Sequence, residues 1–249
     1  MISGTQLSSV RLLLPVKAFA EAKSRLNLPA HQRSLIARRL FLHTLDVALQ
    51  CVRRQQVFVM TDDAEATSAA HRRRVRTLAD AGVDLNTSLR SAVATLRHRF
   101  PDDTVVVIVT DLPRLAPPAL TTTLVDAASS NHPRHVIDQH GVGTTLISIP
   151  PRFQLPMLFG PDSARRFTDA GSMPMLLPPP AIAHDLDRLS DLNALTPHQK
   201  ENLCRNTPSP SSAVPGPRAR AWVTASPATA TTSCSAPAPP TRPRRSPGR

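Results

Sequence analysis

Two sets of acids and one set of bases are the residues of this chain whose types and spacing could handle a phosphate. The acids are Asp111, in the run Val105-Val106-Val107-Ile108-Val109-Thr110-Asp111-Leu112-Pro113, and the pair Asp185 and Asp187 in Asp-Leu-Asp. Magnesium is a hard cation that takes carboxylate oxygens and bridges substrate phosphates. In an extended segment the Asp-x-Asp spacing turns both acids to one face, and Asp111 could meet them across neighbouring strand ends. An acid capping the next turn gives the same local pattern, so both readings stand. The bases are Lys17, Lys23 and Arg25, three cations within nine residues. They suit phosphate through charge-assisted hydrogen bonds, lysine as a point charge and arginine as a fork. A solvated basic loop would look alike.

A third constellation pairs Gly141-Val142-Gly143-Thr144-Thr145 with Phe159-Gly160-Pro161-Asp162-Ser163. Glycine lets backbone approach a ligand, and hydroxyls beside free N–H groups at a helix start favour an anion. Such loops could hold a small carboxylate or phosphate, although Ser163 could equally cap its helix. The Gly-x-Gly-x-x-Gly and Walker phosphate motifs are absent. So is the Gly-x-Ser-x-Gly elbow, which disfavours an α/β-hydrolase. The nine histidines offer no convincing zinc-binding helix face.

These residues need strands and helices to position them. The β-branched run at 105–109 reads as a strand buried on both faces, as in a parallel sheet. Ligands of such sheets bind at the carboxyl ends of the strands, which is where Asp111 falls. Val10–Val16 reads as a first strand, followed by the basic loop. Apolar residues from Leu35 to Cys51 recur at helical spacing, and Pro29 suits the first turn of that helix. Gln56–Met60 reads as a second strand, with Thr61-Asp62-Asp63 starting the next helix. Val75–Leu78 is a short strand, Asn86–Phe100 a helix, and Pro118–Ser130 another after the central strand. Val136–Asp138 and Thr144–Ile149 are strands around the glycine turn. A short helix over 162–170, a last apolar strand over Met173–Leu177 and a final helix from near Ser190 complete the order. The alternation implies a three-layer α/β/α sandwich around a mainly parallel sheet.

Composition divides the 249 residues into a domain over 1–204 and a disordered tail over 205–249. The tail holds seven arginines, ten prolines and no acid, a composition unable to form a core. It carries more than half of the formal charge of +12, so the basic balance says little about the domain. Three cysteines without ligand spacing fit a reducing cytoplasm. Neither a signal peptide nor a transmembrane run is expected, which makes a soluble cytoplasmic protein with no membrane partner the expectation. A basic nucleic-acid-binding protein is the competing class. The absence of tyrosine and the single tryptophan, Trp222, leave few stacking platforms for a single strand.

Eight motifs occur in one order between about residues 10 and 195: Pro15-Val16-Lys17, Ala22-Lys23-Ser24-Arg25-Leu26, Thr61-Asp62-Asp63, Asp84-Leu85-Asn86, Asp111-Leu112-Pro113, Gly143-Thr144-Thr145, Phe159-Gly160-Pro161-Asp162-Ser163 and Asp185-Leu186-Asp187. That order resembles the CofC/FbiD family, guanylyltransferases of coenzyme F(420) biosynthesis. The resemblance implies a nucleotidyltransferase fold like that of nucleotide-diphospho-sugar transferases. It implies condensation of GTP with phosphoenolpyruvate, releasing pyrophosphate, or alternatively with 2-phospho-L-lactate. It further implies that Thr145, Gly160 and Ser163 hold the carboxylate of the acid. Asp111, Asp185 and Asp187 would coordinate magnesium, Lys17, Lys23, Arg25 and Asn86 would lie along the nucleotide, and Lys17 and Lys23 would stabilise the departing pyrophosphate. No specific nucleic acid is implied as a partner, and a homodimer is admitted. Thr110, Asp84 and Asp162 stand where the family usually has a small residue, a glycine and a glycine. A folded but inactive relative is therefore a third reading.

Overall fold

A computed structural model describes residues 7–204 of the chain, apart from 81 and 83; the expected tail over 205–249 lies outside the described residues. Seven strands form one sheet: β1 (Val10–Pro15), β2 (Val57–Met60), β3 (Arg76–Leu78), β4 (Thr104–Ile108), β5 (Arg134–Ile137), β6 (Thr144–Ile149) and β7 (Met173–Pro174). Their order across the sheet is β3-β2-β1-β4-β6-β5-β7. All neighbouring pairs are parallel except those made by β6, which runs antiparallel to β4 and to β5.

The helices are α1 (Ala30–Cys51), α2 (Ala64–Arg72), α3 (Leu85–Arg99), α4 (Pro117–Ser129), α5 (Ser163–Asp169), α6 (Pro180–Ala183), α7 (Leu189–Asn193) and α8 (Pro197–Cys204). Successive residues of a strand point to opposite faces, and here both faces are apolar. Leu12, Leu14, Val57, Val59, Val106 and Ile108 join the core beneath α1, α2, α4 and α6. Leu13, Phe58, Met60, Val105, Val107 and Ile147 join the core beneath α3 and α5. The three layers follow from that double burial, and β4 is buried at every position.

A third, smaller apolar cluster positions the site. It brings Leu26, from the basic loop, against Leu186, between the paired aspartates, with Ile36 and Leu40 of α1 and Leu195 and Leu203 behind them. Leu26 and Leu186 are almost fully buried, and each such leucine stabilises the packed state by about 1.5–3 kcal/mol.

Two helices start on aspartate caps, the first of them as expected from the sequence. The Asp63 carboxylate accepts from the backbone N–H groups of Glu65 and Ala66 at 2.8 and 2.9 Å and so caps α2. Its other oxygen accepts from the Phe19 N–H at 2.9 Å, tying the basic loop to the end of β2. Asp84 caps α3 in the same way, through Asn86 and Thr87.

The end of the domain differs from the expectation. The strand expected over Met173–Leu177 is only Met173–Pro174, and Leu176 and Leu177 are 85% and 97% exposed. Pro174 has no N–H to donate at this sheet edge, and Pro178, Pro179 and Pro180 follow directly. The short helix α6, begun by one of those prolines, was not expected. The single final helix is instead α7 and α8, separated before Pro197, because the residue ahead of a proline avoids helical backbone.

Candidate active site

β1 has β2 on one side and β4 on the other, so the chain leaves it toward one edge of the sheet and returns on the other. This is the switch point at which open α/β sheets bind ligands. A cleft of about 490 Å³ opens there, and its walls include Lys17, Lys23, Arg25, Asp84, Thr110 and Asp111. That volume accommodates a small organic ligand. The Thr110 hydroxyl donates to the Pro15 carbonyl at 3.3 Å and joins the ends of β4 and β1.

The acids meet as a group: one carboxylate oxygen from each of Asp111, Asp185 and Asp187 lies within 4.8 Å of the others. A direct contact fixes part of this arrangement, because the Leu186 N–H donates to the Asp111 carbonyl at 2.9 Å. The basic loop enters the same group. Lys23 Nζ donates to Asp111 Oδ2 at 2.6 Å, to the Leu186 carbonyl at 2.5 Å and to Asp187 Oδ1 at 3.3 Å. Its side chain is only 9% exposed, and its backbone sits in the left-handed region at φ 58°. Arg25, largely exposed, lies 3.3 Å from Asp187 Oδ2. Lys17 stands exposed in the cleft wall.

Electrostatics within the group are unbalanced, with three carboxylates around one buried ammonium. Burial, then the charges of Asp111, Asp187 and Asp138, push the Asp185 carboxyl up to about 7, and Lys23 offsets only part of this. Burial pulls the Lys23 ammonium down, but Asp111 and Asp187 outweigh it and its pKa is raised. The buried oxygens Asp111 Oδ1 and Asp185 Oδ1 have no hydrogen-bond partner. Unpartnered buried carboxylate oxygens with excess negative charge suit a hard divalent cation, so the donor set fits magnesium.

Thr145, Gly160 and Ser163 are not among the residues that line that cleft. Thr145 sits at the start of β6, where its carbonyl accepts from the Val109 N–H at 2.9 Å; its hydroxyl is buried without a partner. Gly160 has φ 118°, a conformation that side chains rarely adopt. Ser163 is the buried first residue of α5, whereas Asp162 precedes it in left-handed conformation at φ 53°, without a side-chain cap. The Ala164 N–H donates to the Val142 carbonyl at 3.1 Å, which joins the two loops expected to act together. The Asn86 amide makes two hydrogen bonds to the backbone of Phe159.

Asp138 was not singled out from the sequence. It braces the glycine turn by accepting from the N–H groups of His140 and Val142 at 3.1 and 2.9 Å. A Cβ at Gly143 would collide with this carboxylate. The signal was present in Asp138-Gln139-His140-Gly141, an aspartate beginning a turn. Among the described residues, no helix is long and apolar enough to cross a membrane.

Residues 10–154 match the family model described as guanylyl transferase CofC like. A phosphoenolpyruvate guanylyltransferase of Streptomyces coelicolor is 35% identical over 188 residues, covering 74% of this chain and 88% of that protein. Another of the same name, from Thermomonospora curvata, is 34% identical over 188 residues, covering 74% and 81%. A crystallised protein of Desulfovibrio desulfuricans, provisionally described as a nucleotide-diphospho-sugar transferase, shares the fold. It superposes with a TM-score of 0.54 at 18% identity, over 78% of this chain and 88% of its own.

Proposed function

The chain belongs to the CofC-like guanylyl transferases, and we propose that it condenses GTP with phosphoenolpyruvate to give enolpyruvoyl-diphospho-guanosine and pyrophosphate. The observation that carries this reading is the convergence of Asp111, Asp185, Asp187 and Lys23 at the switch point between β1 and β4. The named activity of the relatives supports phosphoenolpyruvate as the acid. The product would serve coenzyme F(420) biosynthesis.

In this reaction a phosphate oxygen of the acid forms a bond to the α-phosphorus of GTP. The bond from that phosphorus to the β-phosphate bridging oxygen breaks, and its electron pair leaves with pyrophosphate. The nucleophile is already an anion, so no covalent enzyme intermediate and no general base are required. Catalysis then rests on positioning two anions and stabilising the charge that moves onto the leaving group.

Asp111, Asp185 and Asp187 would hold magnesium, which supplies charge neutralisation between the reacting phosphates. Lys17 and Arg25, exposed toward the cleft, would lie along the triphosphate, and Lys17 and Lys23 would stabilise the departing pyrophosphate. Thr145, Gly160 and Ser163 would receive the carboxylate of the acid, with the partnerless Thr145 hydroxyl available to donate to it.

Pyrophosphate release by the purified protein, with GTP or ATP and with phosphoenolpyruvate or 2-phospho-L-lactate supplied separately, tests the reading. Release that requires phosphoenolpyruvate and favours GTP is the expected result. Release only with 2-phospho-L-lactate would transfer the assignment to that acid, and no release with either acid from folded protein would overturn it.

A further inference from the structure

The start of α3 faces two ways. Asp84 and Leu85 line the cleft, while the next residue, Asn86, turns to a segment 73 residues further along the chain. Asn86 Nδ2 donates to the Phe159 carbonyl at 2.9 Å, and the Phe159 N–H donates to Asn86 Oδ1 at 2.8 Å. This reciprocal pair uses the amide as a strand uses its neighbour, satisfying both backbone groups of one residue. The Phe159 ring is buried and packs edge-on against Phe167 of α5, with centroids 5.3 Å apart. Backbone and ring of Phe159 are thus both fixed, immediately before Gly160 at φ 118° and four residues before Ser163.

We propose that Asn86 is a positioning residue for the phosphorylated acid. Acting through the Phe159 backbone, it holds the Gly160–Ser163 loop in register with the helix start that walls the nucleotide cleft. The proposal rests on the function given above. It differs from the role implied for Asn86 by the family resemblance, because one N–H and the oxygen of the amide already engage the Phe159 backbone.

Steady-state kinetics of Asn86→Ala and Asn86→Asp, with each substrate varied in turn, separate the two roles. Asn86→Ala removes both hydrogen bonds; Asn86→Asp keeps the acceptor for the Phe159 N–H and is the milder change if the alanine variant folds poorly. The KM for phosphoenolpyruvate should rise about tenfold in the alanine variant and less in the aspartate one, with the KM for GTP changed less than about twofold. Hydrogen exchange of the amides from Leu158 to Ser163, measured without substrates, should quicken in both variants. A raised KM for GTP with an unchanged KM for the acid would overturn the proposal, as would unchanged exchange. Wild-type protein that turns over neither acid would overturn the functional reading and this proposal together. Turnover by wild type with the wrong KM moved removes the proposal alone.

Discussion

Lys23 donates to Asp111 at 2.6 Å across 88 residues of sequence, and the two form a part-buried charge pair at the centre of the site. The ammonium takes an oxygen of the same carboxylates that form the candidate cation site. A lysine and a divalent cation directed at one set of oxygens compete for it. Lys23→Met should therefore bind Mn2+ more tightly than wild type in the absence of nucleotide, while losing turnover by about 100-fold or more through the missing leaving-group charge. Titration followed by the electron paramagnetic resonance of free Mn2+ checks the first part. Weaker Mn2+ binding in the variant would contradict the competition.

Asp111→Asn keeps the shape of the side chain and removes one charge. The Leu186 N–H contact is to the Asp111 backbone carbonyl and survives the change. Turnover should fall by about 10²–10³-fold, with far-UV circular dichroism unchanged. Full activity in this variant would remove Asp111 from the chemistry.

The legible parts of this fold are those governed by local period and local capping. The apolar run over 105–109 and the helical spacing that opens at Pro29 and runs through Cys51 each led to an element within a residue or two of its observed bounds. Asp63 was readable as a helix start because a cap acts within three residues. The exposed Leu176 and Leu177 were misread because apolar character alone does not supply a pairing strand. Phe159 as the partner of Asn86, and Leu26 as the partner of Leu186, are contacts over 73 and 160 residues of chain that no local pattern announces. The aspartates were readable as candidates, but the lysine among them was visible only as part of a basic loop.

Leu186→Ala tests the apolar pairing beneath the charged site. Leu186 is fully buried against Leu26, Ile36 and Leu40, so the truncation should destabilise the domain by about 2–5 kcal/mol in urea unfolding. Activity should fall more than the folded fraction does, since the same cluster holds the Lys23 loop against Asp185 and Asp187. A variant with the full stability loss and unchanged turnover per folded molecule would show that the loops register without Leu186.

His135 gives the fold an acid-sensitive point away from the carboxylates. It is fully buried on β5, with Nδ1 3.0 Å from Ser172 Oγ and Nε2 without a partner. Burial lowers its pKa below the ordinary 6.5, so the folded protein keeps it neutral where the unfolded chain already takes a proton. The unfolded state then binds more protons, and stability falls as pH drops. The His135 contribution is complete above pH about 6.5 and declines below it, by at most about 1.4 kcal/mol per pH unit, until the folded-state pKa is passed. His135→Phe places an uncharged ring beside Phe167, whose ring centroid lies 6.2 Å from that of the imidazole. Urea midpoints measured from pH 7.5 to 5 should decline less steeply for this variant than for wild type. Parallel curves would mean that the acid sensitivity of the domain resides in other groups.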